Sequence, residues 1–584
     1  MSNHQNHKIY ESASIGTQLA ESFQNSAFVK YFVSPQGLTI VALLLFLGMG
    51  SLMQGGKGTK VTKGKLANGR FGGTKELSQA KKVALNQLLV RQKQPVAVWI
   101  GEPTNNPLSK PPIYLPEANR STLVMGAAAA GKTVSAINQI AISAIDQGFP
   151  VVEFDFKYPD QTSILASYAK AKGYEIHVFA PGFPESGRLN PITEFLDNEL
   201  SGLYASQLAE VMNANFRKQG VAQSEDGYFG PAGNQLVKAT LLLARTMKYP
   251  DLITCSKILN IDRLARRILA KRGEMNPWIV DAFGQFTSSA GSEKTESSIQ
   301  STAQLIFNRF QIPEVLSVLC GENTIPTRLT GKKMLILGLD QEKRDVLAPL
   351  FATIINLLVN RNMAMQRQDP IFFILDELPT LYLPYLKNWP NEHRSKGLCL
   401  VTGIQNKTQV EGMYGDVEAR TIIGAFGTRI YMNPQDIDTA EWVARGLGDK
   451  EVTLKSRSRS LTGGKATTSY SEEVRTVPLI SGSRINQMRT GQAIIINPHF
   501  ISGDEGFVPV KTKIQLSSRY RKLIKWTEKA WDQSIRPRLI EKAGNQFSIT
   551  EQDLIARQQE VDRMFPDTLL KKESESSDLF SALL

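Results

Sequence analysis

Residues Gly126 to Thr133 read GAAAAGKT and fit G-x-x-x-x-G-K-[ST], a loop whose backbone N–H groups cradle nucleotide phosphates while its lysine reaches toward them. Ser121 to Met125 (STLVM) is a short apolar run, and Val134 to Ala144 carries apolar residues at helical spacing, so the sequence predicts strand, loop and helix in that order. A loop at a helix N-terminus meets an anion with unsatisfied N–H groups and the positive end of the dipole. Phosphate contacts are expected from Gly126, Ala127, Ala128, Ala129, Ala130 and Gly131. Lys132 is expected at the β- and γ-phosphates of ATP, with the Thr133 hydroxyl on Mg²⁺. Four alanines fill the variable positions, so any left-handed residue inside the loop carries a Cβ unless it is Gly126 or Gly131.

A second half of this chemistry lies far downstream, at Ile371 to Glu377 (IFFILDE), an apolar strand ending in two adjacent carboxylates. Asp376 at the C-terminal end of a strand suits a Mg²⁺ anchor, and Glu377 is placed to accept a proton from an attacking water. Together with the loop, the pair argues for ATP hydrolysis as well as ATP binding.

Eight strands are expected to position these groups: Val96 to Ile100, Leu123 to Met125, Val151 to Phe156, Ile176 to Ala180, Met334 to Leu337, Ile371 to Leu375, Leu398 to Thr402 and Arg429 to Met432. Helical patterns separate several of them, as in a mostly parallel α/β sheet. Between about Phe195 and Leu319 strand runs disappear, and a separate all-α domain inserted in the sheet is expected. A polar tract near Glu451 to Val477, with Lys455, Arg457, Arg459 and Lys465 on a Ser/Thr/Gly background, cannot form a core and is expected as a mobile loop; contact with a nucleic-acid backbone and a purely solvated role are both open for it.

At 584 residues the chain is too long for one core. Its formal charge of +13 and pI near 9.4 favour a polyanionic partner, nucleic acid or an anionic membrane face. Three widely spaced cysteines exclude a disulfide framework and a zinc-ligand spacing. Ser34 to Met53 is uncharged, and its 20 residues at about 1.5 Å each match the thickness of a hydrocarbon core, so a transmembrane helix is expected. Lysines and arginines are denser after this span than before it, which puts the bulk of the chain in the cytoplasm. The expected division is an extracytoplasmic segment at 1–33, the span at 34–53, a first part of the nucleotide-binding domain at 54–194, the all-α domain at 195–319, the second part at 320–520, and a C-terminal helical region with a disordered tail at 521–584.

Laid in order, these features resemble the type IV coupling proteins of conjugation and type IV secretion, the TraG/TraD family. Asn68 to Leu77 (NGRFGGTKEL), Asp155 and Lys157, and Asn190-Pro191 are similar to the family's pattern. The most specific stretches are GIQNKTQVEGMYG at Gly403 to Gly415 and GTRIYMNPQDIDTAEWVARGLG at Gly427 to Gly448. The resemblance implies an α/β RecA-like P-loop NTPase core with an inserted all-α domain and an N-terminal transmembrane helix. It also implies that Gln405 senses the γ-phosphate and that Arg394, in NEHRSKG, reaches a neighbouring subunit's nucleotide, with Arg420 and Arg429 as lesser candidates. The implied function is a membrane-anchored, hexameric ATPase at the inner membrane that carries relaxase-bound DNA to a secretion channel. Two other classes stay open at this point: a double-strand DNA translocase of the FtsK/HerA type, and a receptor that binds ATP and docks substrates without turnover. The chain departs from the family in showing one convincing span where many members carry two, and in its all-alanine loop.

Overall fold

The computed structural model of the chain describes residues 69–89, 95–103, 111–218, 229–462, 465–501, 506, 508–544 and 548–566. The expected transmembrane span at 34–53 and the expected tail at 571–584 lie outside the described residues. The described residues form thirteen strands: β1 (Val98–Ile100), β2 (Ile113–Leu115), β3 (Thr122–Met125), β4 (Val151–Asp155), β5 (Glu175–Phe179), β6 (Lys333–Gly338), β7 (Ile371–Leu375), β8 (Leu398–Ile404), β9 (Thr428–Tyr431), β10 (Asp449–Thr462), β11 (Lys465–Pro478), β12 (Gln492–Ile496) and β13 (Val510–Lys513).

Nine of them form one sheet in the order β13-β12-β9-β3-β8-β7-β4-β6-β5. From β9 to β5 every pairing is parallel, so these strands end at one edge. β12 and β13 close the other flank antiparallel. The central strands are runs such as IFFIL in β7, buried at every residue, because both faces are covered. Alternate side chains feed two cores: Phe373 and Leu375 face one, Phe372 and Ile374 the other.

Seven of the eight expected strands lie in this sheet. The first does not: β1 pairs with β2 in a separate antiparallel ribbon, Val98 opposite Leu115. β2, β12 and β13 were not anticipated, since runs of three to five residues are too short to show a periodicity.

Between β5 and β6 the described residues hold helices only, the longest being Gly202–Lys218, Phe229–Thr246 and Glu293–Asn308. They are an insertion in sequence but continuous in packing, because Leu208, Leu236 and Ile299 share one apolar cluster with Val152 and Phe154 of the sheet. The helix Arg344–Met363 lies in the same cluster. Together with the preceding turn, it is the only helix among the described residues long and apolar enough to cross a membrane, and 89% of its apolar window is buried inside the protein, as in a core helix.

The tract at 451–477, expected as a mobile loop, is instead two 14-residue strands, β10 and β11, paired with each other in a two-stranded sheet. The sequence carries one short-range hairpin signal here, the dipeptide Gly463-Gly464, because paired glycines favour two-residue hairpin connections.

Candidate functional site

The phosphate loop leaves β3 and is tied at its start to both neighbouring strands: the Gly126 N–H donates to the Ile404 carbonyl at 3.0 Å, and the Ala127 N–H to the Asn433 carbonyl at 2.9 Å. Two loop residues take positive φ, Ala129 at 64° and Gly131 at 93°. The first carries a Cβ there, which costs about 1 kcal/mol. Contacts from a distant segment hold it: the Thr490 hydroxyl donates to the Ala129 carbonyl at 3.2 Å, and the Gly491 N–H to the Ala130 carbonyl at 3.1 Å. Thr490 and Gly491 precede β12, and no local sequence signal marked them. After the loop, Lys132–Ile137 forms a wide, π-type turn that passes into the α-helix Asn138–Asp146.

β7 delivers the carboxylates to this loop. The Lys132 ammonium donates to the Asp376 carbonyl at 3.0 Å and to Glu377 Oε2 at 3.2 Å, and lies 3.7 Å from Asp376 Oδ1. The Thr133 hydroxyl donates to Asp376 Oδ2 at 2.6 Å. Gln405, immediately past β8, donates from Nε2 to the same Glu377 Oε2 at 3.2 Å. Asn406 then caps the next helix by accepting from the Gln409 N–H at 2.9 Å, which fixes where Gln405 leaves the strand. Lys132, Thr133, Asp376, Glu377 and Gln405, drawn from three distant segments, are thus brought together.

Arg394 is not brought to this cluster within one chain. β7 and β8 run parallel, Ile371 opposite Leu398, so residues before β8 sit at the edge opposite Asp376, Glu377 and Gln405. Seven residues of strand put roughly 20 Å between the two ends. There the Arg394 guanidinium pairs with Glu117 at 3.2 Å.

A site for a divalent cation is tested by its donors. Asp376 Oδ1 is buried without a hydrogen-bond partner, while Oδ2 holds the Thr133 hydroxyl. Carboxylate and hydroxyl oxygens are the hard donors that Mg²⁺ takes. The residues therefore fit Mg²⁺.

Gly403 makes the arrangement possible. A Cβ on it would lie 2.0 Å from the Asp376 carbonyl oxygen and 2.8 Å from Oδ1. The residue opens the GIQN stretch, but its role follows only from the approach of β7 to β8.

The loop faces a cleft of about 770 Å³ whose far wall is made by residues 155–164 and by Glu528, Trp531 and Asp532. Asp155 organises that wall. Its carboxylate accepts from the Lys157 N–H at 3.1 Å, the Gln161 N–H at 3.1 Å, and the Thr162 N–H and hydroxyl at 2.9 and 2.8 Å. Burial nevertheless pushes it up to about 6, outweighing those donors. Two residues earlier, Glu153 is fully buried with both carboxyl oxygens lacking a protein partner. Burial, then the charges of Asp155 and Asp376, push its pKa well above the ordinary carboxylate value. A glutamate inside VVEFD is the sequence signal that could have marked it.

A family model described as the type IV secretion-system coupling protein DNA-binding domain matches residues 238–502. This match takes in Asp376, Glu377 and Gln405; the phosphate loop precedes it. The coupling protein TraD of Escherichia coli (strain K12) is 31% identical over 129 residues, 22% of this chain and 18% of that protein, so the chain spans under a fifth of the length of this relative. Among solved structures, the bacterial conjugative coupling protein TrwBdeltaN70 in its unbound monoclinic form superposes with a TM-score of 0.53 at 16% identity, covering 74% of this chain and 91% of that one. The plasmid coupling protein TrwB in complex with ADP and Mg²⁺ gives 0.52 at 16% identity, covering 69% and 86%. At that identity the likeness speaks for the fold, a mixed α/β core with a large helical insertion. Sequence match and fold point the same way, to a likeness with the TrwB/TraD coupling proteins of type IV secretion.

Proposed function

We propose that this chain is a membrane-anchored, ATP-driven DNA translocase that couples a relaxase-bound DNA strand to a type IV secretion channel. In this reading the core is a RecA-like P-loop NTPase, active as a homo-hexameric ring held at the inner membrane by the single span at 34–53, with its bulk in the cytoplasm. The observation that carries it is the convergence of Thr133 on Asp376 at 2.6 Å and of Lys132 on Glu377 at 3.2 Å, beside a loop of GxxxxGKT sequence.

Residues Gly126 to Gly131 wrap the phosphates of ATP and Lys132 neutralises the β- and γ-oxygens. Thr133 and Asp376 would hold Mg²⁺, which when bound would supply positive charge beside the phosphates. In the structure Glu377 Oε2 is shared by Lys132 and Gln405. When Lys132 swings to the phosphates, Glu377 keeps Gln405 alone and its carboxylate is free to accept a proton from the attacking water. Gln405 thereby links the γ-phosphate to the helix that follows β8. Arg394, at the far edge of its own sheet, acts across a subunit interface on a neighbour's nucleotide. The basic β10–β11 pair contacts the DNA backbone.

ATP hydrolysis by the full chain in detergent, with Mg²⁺ and with or without single-stranded DNA, tests the reading. DNA-stimulated turnover is expected. Tight ATP binding with no turnover would favour the docking receptor, and stimulation by duplex alone would favour the FtsK/HerA type.

A further inference from the structure

The helix Ser518–Ala530 divides its residues sharply by face. At 100° per residue, Lys522, Lys525, Trp526 and Lys529 fall within an arc of about 100°. All four are exposed, Trp526 at 49%. Among the described residues none of the three lysines makes an ion pair, whereas the neighbouring Arg519 is matched by Glu102 at 2.8 Å. The opposite face is packed: Tyr520, Leu523 and Ile524 are half-buried, Thr527 and, one turn on, Trp531 are closed off from solvent, and Trp531 meets the Tyr158 ring edge to face at 6.4 Å. Arg536 extends the anchorage, donating to Glu185 at 2.9 Å, which also accepts from the Tyr158 hydroxyl at 2.7 Å.

The anchored face is also the cleft's wall, since Glu528, Trp531 and Asp532 line the space opposite the phosphate loop. We propose that the exposed face of helix 518–530 is a contact surface for single-stranded nucleic acid, with Lys522, Lys525 and Lys529 on the phosphates and Trp526 stacked on a base, and that this helix carries the contact to the nucleotide cleft. The proposal rests on the translocase reading and names a surface for it. An exposed indole ringed by unpaired lysines is the combination that sequence-tolerant strand binding uses, and stacking needs bases free of a duplex. A membrane contact fits less well, because a helix lying in a bilayer surface needs a free apolar face and this one is spent on Tyr158 and the helix Asp160–Ala171. The polyanion would sit about one helix diameter, roughly 10 Å, from the cleft.

The test uses the full chain in detergent, a dT oligonucleotide, the matching duplex and short-chain phosphatidylserine added to the micelles. Lys522→Gln/Lys525→Gln/Lys529→Gln should reduce the slope of log affinity against log salt by about 2 for the single strand, from about 0.7 per phosphate contact. DNA-stimulated hydrolysis should fall in parallel while the basal rate and unfolding midpoint stay at wild type. Trp526→Ala should weaken the single strand about tenfold and the duplex little. A wild-type slope and wild-type stimulation in the triple variant overturn the helix assignment and leave the translocase reading standing. A triple variant that loses only affinity for the added phosphatidylserine makes the face a membrane contact and overturns it too. If the unaltered chain neither binds DNA nor responds to it, the translocase reading falls and the helix assignment with it.

Discussion

Replacing Gly403 with alanine adds one carbon where β8 passes the end of β7. The new Cβ would stand 2.0 Å from the Asp376 carbonyl oxygen, and ordinary contact begins near 3.4 Å, so the two must part by about 1.4 Å. Both sides are backbone, Gly403 within a strand buried at every residue and Asp376 directly after another, so no flexible side chain can absorb the shift. The displaced atoms are those that matter: the Asp376 carbonyl holds the Lys132 ammonium at 3.0 Å, and its carboxylate holds the Thr133 hydroxyl at 2.6 Å. Adding 1.4 Å to the second takes it outside hydrogen-bonding range. A misplacement of about 1 Å in a catalytic constellation costs on the order of 100-fold in rate, and overpacking a buried site costs about 1–3 kcal/mol of stability. Gly403→Ala should therefore fold, with a lowered unfolding midpoint, bind ATP through the intact loop at 126–131, and turn over at most about a hundredth as fast. Steady-state hydrolysis at saturating Mg-ATP, read beside thermal unfolding and a fluorescent-nucleotide titration, separates these terms. Wild-type turnover in a correctly folded Gly403→Ala chain would refute the claim that the β7–β8 approach positions Asp376.

Lys132→Ala should abolish productive nucleotide binding, whereas Glu377→Gln should retain ATP and lose hydrolysis; near-wild-type turnover in Glu377→Gln would remove its role as general base. Arg557, buried and donating to Asp251 at 2.6 and 2.8 Å, clamps the C-terminal helix Glu551–Met564 to the inserted helices. Arg557→Met should cost about 3–5 kcal/mol in denaturant unfolding because it strands a buried carboxylate, and Arg557→Met/Asp251→Asn should recover much of that loss; equal destabilisation in both would exclude an uncompensated charge as the cause. For Arg394, subunits bearing Glu377→Gln mixed with subunits bearing Arg394→Ala should regain ATPase activity that neither shows alone, and rings that form without regaining it would end the trans-acting assignment.

What the sequence determined by itself was the chemistry that local pattern encodes. The loop at 126–133, the strand ending in Asp376-Glu377 and the parallel α/β alternation are each written within a dozen residues, because phosphate binding and burial on both faces demand particular residue types at fixed spacing. The helical insertion was legible for the same reason, as a long stretch without strand runs. Its packing was not: only the tertiary structure shows those helices sharing a core with Val152 and Phe154. The β10–β11 pair is not legible from composition, which is polar throughout, and shows only in the Gly463-Gly464 dipeptide of the sequence. Register decided the rest. Parallel pairing of β7 with β8 puts Gln405 beside Glu377 and Arg394 at the far edge, and it sets Gly403 against Asp376. Likewise Thr490 supports Ala129 from 361 positions away, and Trp531 closes a cleft that opens near residue 127. Such contacts carry no local periodicity, because they arise only when strands distant in sequence become neighbours in one sheet.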